Sequence, residues 1–357
     1  MRRIATLLFC MGAPLALNAG PIYTIQNLGS LGSGPAAVSS INSSGGVVGF
    51  VTDYHGNQVP VSFTAGVVNP LGGSGQANAM NDAGTTVGTS YGVNNTPYVT
   101  EWTNGQMTNL NITGSATSIN NAGEIAGGYS AANGQLHAFT SANGSLVDLG
   151  TLTGGTWSSA SGVNSSGEVV GSGSVAGGAV RAFFLNGSGL VNLGTLGGVN
   201  SHAMAINSSG EVVGNAQTAN AFAHAFAWKN GAMTDLGTLG GTQSYAYGVN
   251  DSGAVVGYSW TSGNTATDGF LYSNGVMIDL NNLLPLNSGW TIDAAYAINA
   301  SGEIAATGIF NGQSYAVELL PSGSFVTPEP AALFLAGLGL LAIGTWRRAK
   351  SKRDRSQ

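Results

Sequence analysis

Four glutamates share one position in a repeated phrase and are the first residues that could do chemistry. They are Glu124, Glu168, Glu211 and Glu303. Carboxylates gathered at one rim could bind a divalent cation or hydrolyse a glycosidic bond. Equivalent positions in a ring lie far apart, however, and three further copies of the phrase carry Gly, Thr or Ala there. We therefore expect solvent-facing strand starts, with no catalytic residue, no metal site and no cofactor.

The histidines and the cysteine likewise predict no catalytic or metal site. His137 and His224 occupy equivalent positions, which favours a structural bond to a neighbouring strand, whereas His55 and His202 are isolated. No metal-ligand spacing joins them. Cys10, the sole cysteine, lies in the leading apolar segment, so the rest of the chain has no disulfide and no thiol nucleophile.

Aromatic residues are the best candidates for ligand binding. Trp157, Trp290 and Tyr247 fall at or near predicted inner strands, where their rings could stack on sugar faces. Packing against the core is the alternative for both tryptophans.

These residues are positioned by a phrase that occurs seven times. It runs Asn, two small or polar residues, Gly, one variable residue, two mostly aliphatic residues and a small residue, usually Gly. The copies begin at Asn42, Asn81, Asn120, Asn164, Asn207, Asn250 and Asn299. Spacings of 39 to 49 residues are typical of β-propeller blades.

Each repeat predicts four strands. Small residues alternate with others before the Asn, which indicates a crowded inner strand, and Asn-x-x-Gly fits a type I turn. A further motif, an aliphatic residue, any residue, Asn or Asp, then Leu, marks the fourth strand. It precedes the first phrase and does not follow the last. The sequence therefore predicts an all-β, seven-bladed β-propeller over residues 20–327, closed by the N-terminal strand. The alternative is an open β-solenoid, for which neither end resembles a cap.

Charge and the chain ends indicate an exported protein. Charged residues make up 7% of the chain, and residues 20–327 contain 14 acids against only Arg181 and Lys229. This sign argues against nucleic acid as a partner. Residues 1–19 are typical of a signal peptide. Pro328, Glu329 and Pro330 precede sixteen uncharged residues, 331–346, and a basic tail, which predicts a C-terminal transmembrane helix.

Residues 328–357 resemble the PEP-CTERM sorting signal of exported proteins from Gram-negative bacteria that make extracellular polysaccharide. The resemblance implies an exosortase-type processing enzyme as a partner, with Pro328, Glu329 and Pro330 as the recognised residues. The plain alternative is a C-terminal membrane anchor. Residues 137–260, with triplets such as His224-Ala225-Phe226, resemble the bacterial extracellular HAF repeat, a family with little assigned biochemistry.

The function these features predict is that of an exported, non-enzymatic propeller with a structural or adhesive role. We expect it in the cell envelope or extracellular matrix, held in the membrane by its C-terminal helix before processing. Binding of extracellular polysaccharide is the alternative, and a glycoside hydrolase is the least favoured hypothesis.

Overall fold

A computed structural model describes residues 22–29, 36–64, 66–142, 145–187 and 189–322. In this part of the chain, short antiparallel strands follow one another through tight turns. The first twelve are β1 (Tyr23–Gly29), β2 (Ala36–Ile41), β3 (Val47–Thr52), β4 (Gln58–Thr64), β5 (Val67–Pro70), β6 (Gly75–Met80), β7 (Thr86–Tyr91), β8 (Pro97–Thr103), β9 (Gln106–Ile119), β10 (Ile125–Ser130), β11 (Leu136–Ala142) and β12 (Ser145–Asp148).

The later strands continue the same pattern. They are β13 (Ser158–Val163), β14 (Val169–Ser174), β15 (Val180–Asn186), β16 (Gly189–Asn192), β17 (Gly197–Ile206), β18 (Val212–Thr218), β19 (Ala223–Lys229), β20 (Ala232–Asp235), β21 (Gly240–Val249), β22 (Val255–Thr261), β23 (Thr267–Ser273), β24 (Val276–Asp279), β25 (Trp290–Ile298), β26 (Ile304–Phe310) and β27 (Gln313–Pro321). Short 3₁₀ helices lie at Val93–Asn95, Ser262–Asn264 and Leu280–Leu283.

The protein is an all-β propeller, but the prediction of seven blades is wrong. Within the described ranges, five blades are separate four-stranded sheets, and strands β6 to β12 form one seven-stranded sheet. The cause is β9, which pairs with β8 through Gln106–Thr113 and with β10 through Gly114–Ile119. In other repeats a non-strand link such as Leu193–Thr195 separates the fourth strand from the next inner strand. In β9 the strand instead passes through Leu110-Asn111-Ile112 with a register shift and a positive φ of 59° at Asn111.

The N-terminal strand completes the last sheet, as the sequence predicts. β1 pairs antiparallel with β27 in the order β1-β27-β26-β25, and Ile25 lies opposite Leu319. Tyr23 adds a second link, because its hydroxyl donates to the carbonyl of Gly302 at 3.1 Å. Burial raises the pKa of Tyr23 to about 12. The two ends of the propeller are therefore held in one sheet.

The predicted C-terminal transmembrane helix, residues 331–346, falls on residues that the structure does not describe. No helix in the described part of the chain has the length and apolar character to cross a bilayer. Residues 1–19 and 328–357, where the sequence predicts the signal peptide and the sorting signal, lie outside the described residues.

The repeated asparagines form a closed ring of hydrogen bonds. Each side-chain Nδ2 donates to the main-chain oxygen of the asparagine in the next repeat, over 2.9–3.3 Å. The last link runs from Asn299 back to Asn42, at 3.0 Å. Every Oδ1 also accepts from the backbone N–H four residues later, which stabilises the turn. The seven asparagines are only 4–7% exposed. Their side-chain amides therefore hydrogen-bond to the next repeat in place of water.

The core lies between neighbouring sheets. Phe139, Phe183 and Phe226 are fully buried there. A buried serine on the next inner strand fastens each contact: the Ser244 hydroxyl accepts from the Ala225 N–H at 2.8 Å and donates to the Gly237 carbonyl at 2.5 Å. These hydrogen bonds link each sheet to the next inner strand.

Candidate functional site

The inner strands enclose a cavity of about 800 Å³ in the centre of the propeller. Every repeat contributes lining residues from its inner strand, including Ser39, Asn78, Thr117, Ser161, Met204, Tyr247 and Tyr296. Ligand-binding cavities in proteins typically have volumes of roughly 300–1,000 Å³. The cavity is therefore large enough for a small ligand.

Those seven lining residues, hereafter the bulge residues, are each the extra residue of a β-bulge. In β21, for example, Ala246 pairs with Gly257 and Gly248 with Val256, which leaves Tyr247 between them unpaired. The other repeats skip the equivalent residue. A bulge re-aims a side chain and is frequent beside functional sites. The fold thus directs one additional side chain from every repeat into the channel.

In six of the seven repeats, a glycine opposite the bulge makes this geometry possible. A Cβ on Gly214 would lie 2.0 Å from the His202 carbonyl oxygen, and one on Gly257 would lie 1.9 Å from that of Tyr245. These contacts are far inside van der Waals distance, so only glycine fits. The seventh repeat has Ala306 instead, and β25 carries a second register shift between Ile292 and Ala294. The small residue that ends the sequence phrase is therefore the partner of the bulge.

Three polar bulge residues also tie neighbouring repeats together. Asn78 donates to the Ala116 carbonyl at 2.7 Å, Thr117 to Ala160 at 3.0 Å and Ser161 to Ala203 at 2.6 Å. Gln76 and Ser115 line the same part of the cavity and add further polar groups.

Four tyrosines form a row beginning at the opposite arc. Tyr296 lies 5.5 Å from Tyr247 between ring centroids, Tyr247 lies 5.9 Å from Tyr258, and Tyr258 stacks on Tyr245 at 4.9 Å. Burial, followed by the nearby Tyr258 and Tyr296, raises the pKa of Tyr247, and burial also raises the pKa of Tyr296. The phenols therefore keep their protons at neutral pH and can donate hydrogen bonds.

The chemistry of the cavity is that of a neutral polar site. Its described lining contains hydroxyls, amides, two tyrosines and aliphatic groups, but no Asp, Glu, His, Lys or Arg. Such groups can hydrogen-bond and pack against a ligand. They do not provide the carboxylate pair of a glycosidase.

An apolar ring of residues, hereafter the collar, lies between the large cavity and a smaller one of about 320 Å³ on the asparagine side. The collar consists of Ile41, Met80, Ile119, Val163, Ile206, Val249 and Ile298, one residue before each asparagine. Beyond it, Asp82 accepts from the Ser43 N–H at 2.8 Å and from Asn121 Nδ2 at 2.7 Å. Hydrogen bonds from Ser43, and then from Asn121, lower the pKa of Asp82.

The structure separates the three predicted sugar-stacking residues. Tyr247 lines the large cavity. Trp290 is partly buried against the core of the closing sheet, where it stacks on Phe310 at 5.0 Å and meets the edge of Tyr315 at 5.6 Å. Trp157 is partly buried and directly precedes β13, at the end of that inner strand opposite its asparagine. Pro328, Glu329 and Pro330 lie outside the described residues.

The four recurrent glutamates are partly buried, not solvent-facing. The carboxylates of Glu124, Glu168, Glu211 and Glu303 each accept from Nδ2 of their own repeat's asparagine, over 2.5–3.3 Å. The same Oε2 atoms lie close to a turn glycine of the next repeat, such as Gly210 beside Glu168. In the part of the chain that is described, no group of three or more His, Cys, Asp or Glu could hold a metal ion.

The paired histidines are cross-strand links. His137 Nδ1 lies 2.9 Å from Asp148, and His224 Nδ1 lies 2.8 Å from Asp235. Burial would raise the pKa of Asp148, but hydrogen bonds from Gly150 and His137 outweigh it and lower that pKa. The carboxylate therefore accepts the Nδ1 proton, in keeping with the structural interpretation of the sequence.

Sequence reasoning missed most of the bulge residues as a set. The aligned column, three residues before each asparagine, reads Ser, Asn, Thr, Ser, Met, Tyr, Tyr, while the flanking columns stay small. This break from small residues was the available signal. Tyr258 gave none, because it reaches the row of tyrosines from the second strand of its sheet.

Comparison with known proteins identifies the C-terminal segment. Residues 326–349 match the PEP-CTERM protein-sorting motif, which confirms that part of the prediction and implies export with C-terminal anchoring or processing. No curated protein matches the sequence. The HAF resemblance stays a prediction.

Solved structures share the fold at low sequence identity. Puromycin hydrolase is 16% identical, with 82% of this chain and 52% of that chain covered and a TM-score of 0.51. Its S511A mutant complexed with PGG is 15% identical, with 81% and 52% covered and a TM-score of 0.50. The β-propeller domain of the Trilobed protease from Pyrococcus furiosus is 10% identical, with 69% and 83% covered and a TM-score of 0.49. The chain spans about half the length of the puromycin hydrolase chains, and these likenesses concern the propeller fold alone.

Proposed function

We propose that this protein is an exported, non-catalytic β-propeller with a structural or adhesive role in the cell envelope or extracellular matrix. The single observation that carries the proposal is the combination of a sorting motif at residues 326–349 with a propeller whose first and last strands share one sheet. An exosortase-type enzyme delivers the protein by recognising Pro328, Glu329 and Pro330. A closed ring resists unfolding outside the cell without disulfides.

The test compares cells that make the native protein with cells that make a variant in which residues 328–330 are all alanine. We expect the native protein in the envelope or matrix fraction with a processed C-terminus by mass spectrometry, and the variant unprocessed and displaced from that fraction. Adhesion of the two cell populations to each other and to a surface is measured in parallel. Equal localisation and equal adhesion in both would remove the proposal.

Carbohydrate binding is the second candidate function, and the large cavity favours it. Hydroxyl and amide groups on one arc, with Tyr247 and Tyr296 on the other, match the alternating polar edges and apolar faces of sugars. Secreted polysaccharide from the producing cells should be retained on the immobilised protein. A lack of retention, with no response to sugars at millimolar concentration, would remove this candidate.

A further inference from the structure

We propose that the large cavity binds the end of an uncharged sugar chain, held by the bulge residues and stopped at the collar. This inference rests on the proposed carbohydrate binding. It adds where on the protein the glycan binds, that the glycan is uncharged, and that its end is the part recognised.

The β-bulges indicate where the ligand binds. All repeats project an extra residue into the channel at the same level, and a glycine without room for a Cβ preserves the bulge in six of them. The geometry is thus repeated while the side chains differ, from Ser39 to Tyr296. A fixed backbone with varied side chains suits a ligand that is not itself a symmetric ring.

The residues that line the cavity indicate that the glycan is uncharged. A sulfated or uronic-acid chain would need Arg or Lys to balance its charge on entering the cavity. The described lining has neither, and Arg181 and Lys229 instead contact the Val199 carbonyl and Glu211. With 14 acids in residues 20–327, the body repels anionic glycans as well. Neutral hydroxyls, by contrast, find donors and acceptors in Gln76, Asn78 and the tyrosines.

The recognition of a chain end follows from the collar. A sugar passing between Ile119 and Ile298 would lose water from its hydroxyls without gaining a partner. A hydroxyl that loses its water without gaining a hydrogen-bond partner disfavours binding. We therefore expect a glycan to enter from the end of the channel opposite the asparagines and to end at the collar instead of threading through it.

The experiment uses the full-length protein and calorimetric titration with neutral gluco-, manno- and galacto-oligosaccharides and with oligogalacturonate. Each neutral binder is tested with a bulky tag at the reducing end, at the non-reducing end or at both. We expect a neutral oligosaccharide to bind and oligogalacturonate not to bind. The neutral binder should still bind with a tag at one of its two ends, and should no longer bind with tags at both ends. Equal binding of the doubly tagged chain, or preference for the acidic oligomer, would overturn the inference.

Two variants and one control locate the site. Met204→Trp fills the channel from a bulge residue for which no tie to the next repeat is seen, and Tyr296→Phe removes one phenol hydroxyl while keeping the ring. We expect at least a roughly tenfold weaker affinity for Met204→Trp and a smaller loss for Tyr296→Phe. Met107→Trp, on the outer surface with 42% exposure, should bind normally. Circular dichroism and thermal melting establish that each variant is folded.

The outcomes distinguish this inference from the proposal on which it rests. Polysaccharide retention that persists in folded Met204→Trp would place binding outside the cavity and overturn the inference, leaving carbohydrate binding intact. Absence of any retention by the native protein would remove both.

Discussion

Replacement of Glu318 by glutamine should stabilise the protein at alkaline pH and leave it unchanged under mildly acidic conditions. Glu318 lies on β27, between the closing strand β1 and β26, and its side chain is only 5% exposed. Burial, and then repulsion from Glu303, raises the pKa of Glu318 from 4.5 to about 7. No base faces it: in the described chain the Lys and Arg residues are Lys229, beside Glu211, and Arg181, bonded to the Val199 carbonyl.

The magnitude follows from proton linkage. Between pH 4.5 and about 7 the folded state holds the Glu318 proton more tightly than the unfolded state, so stability falls as pH rises through this window. At about 1.4 kcal/mol per pH unit, the upper limit of the loss is ~3 kcal/mol. Water that reaches the carboxylate reduces this figure, and we expect roughly 1–2 kcal/mol, or about 3 °C in melting temperature for a domain of this size.

The assay is urea unfolding of native protein and Glu318→Gln at pH 5 and pH 8. The variant should nearly match the native protein at pH 5, where Glu318 is protonated in the folded state and little of the loss has developed, and exceed it by roughly 1–2 kcal/mol at pH 8. Glu101→Gln is the matched control, because Glu101 occupies the same position in β8, opposite Val87, and accepts from the Thr103 hydroxyl at 2.9 Å. It should show no gain at pH 8.

Two results would refute this reasoning. A gain of the same size at both pH values would mean that packing, not charge, limits the native residue. A less stable variant at pH 8 would mean that the ionised carboxylate is stabilising in its site.

Three further predictions concern the scaffold. Asn207→Ala should lower the free energy of unfolding in urea by about 2–3 kcal/mol, because the Asn250 carbonyl and two turn N–H groups lose their hydrogen-bond partner. The control Asn69→Ala, at an exposed position, should have no effect. Equal effects of the two substitutions would mean that the asparagine ring does not stabilise the fold. Gly214→Ala should lower the melting temperature far more than Gly187→Ala, which has open space around it, and similar melting curves would contradict the bulge geometry. Deletion of residues 22–29 should lower the melting temperature of the whole propeller, which should still unfold in one cooperative transition. An unchanged melting temperature would count against ring closure.

Much of the architecture was available from local patterns. Asn-x-x-Gly turns, alternating small residues and the displaced fourth-strand motif predicted a propeller and the pairing of β1 with β27, because turn chemistry and period-two burial act over a few residues. The blade count failed at one place. The pairing of β9 resumes at Thr113 after a register shift at Leu110–Ile112, and this depends on strands on both sides of β9, which no local pattern of that segment contains.

The sequence by itself determined the export motif, the repeat, the acidic body and the structural nature of the His-Ala-Phe segments, since each depends on residue types at fixed short spacings. Only the tertiary structure decided which side chains meet in the channel. Tyr245, Tyr247, Tyr258 and Tyr296 come from three inner or second strands in two sheets, and the bulges that aim residues inward exist only when neighbouring strands pair out of step. Convergence of this kind is a property of strand register and ring closure, which depend on contacts between residues far apart in the chain.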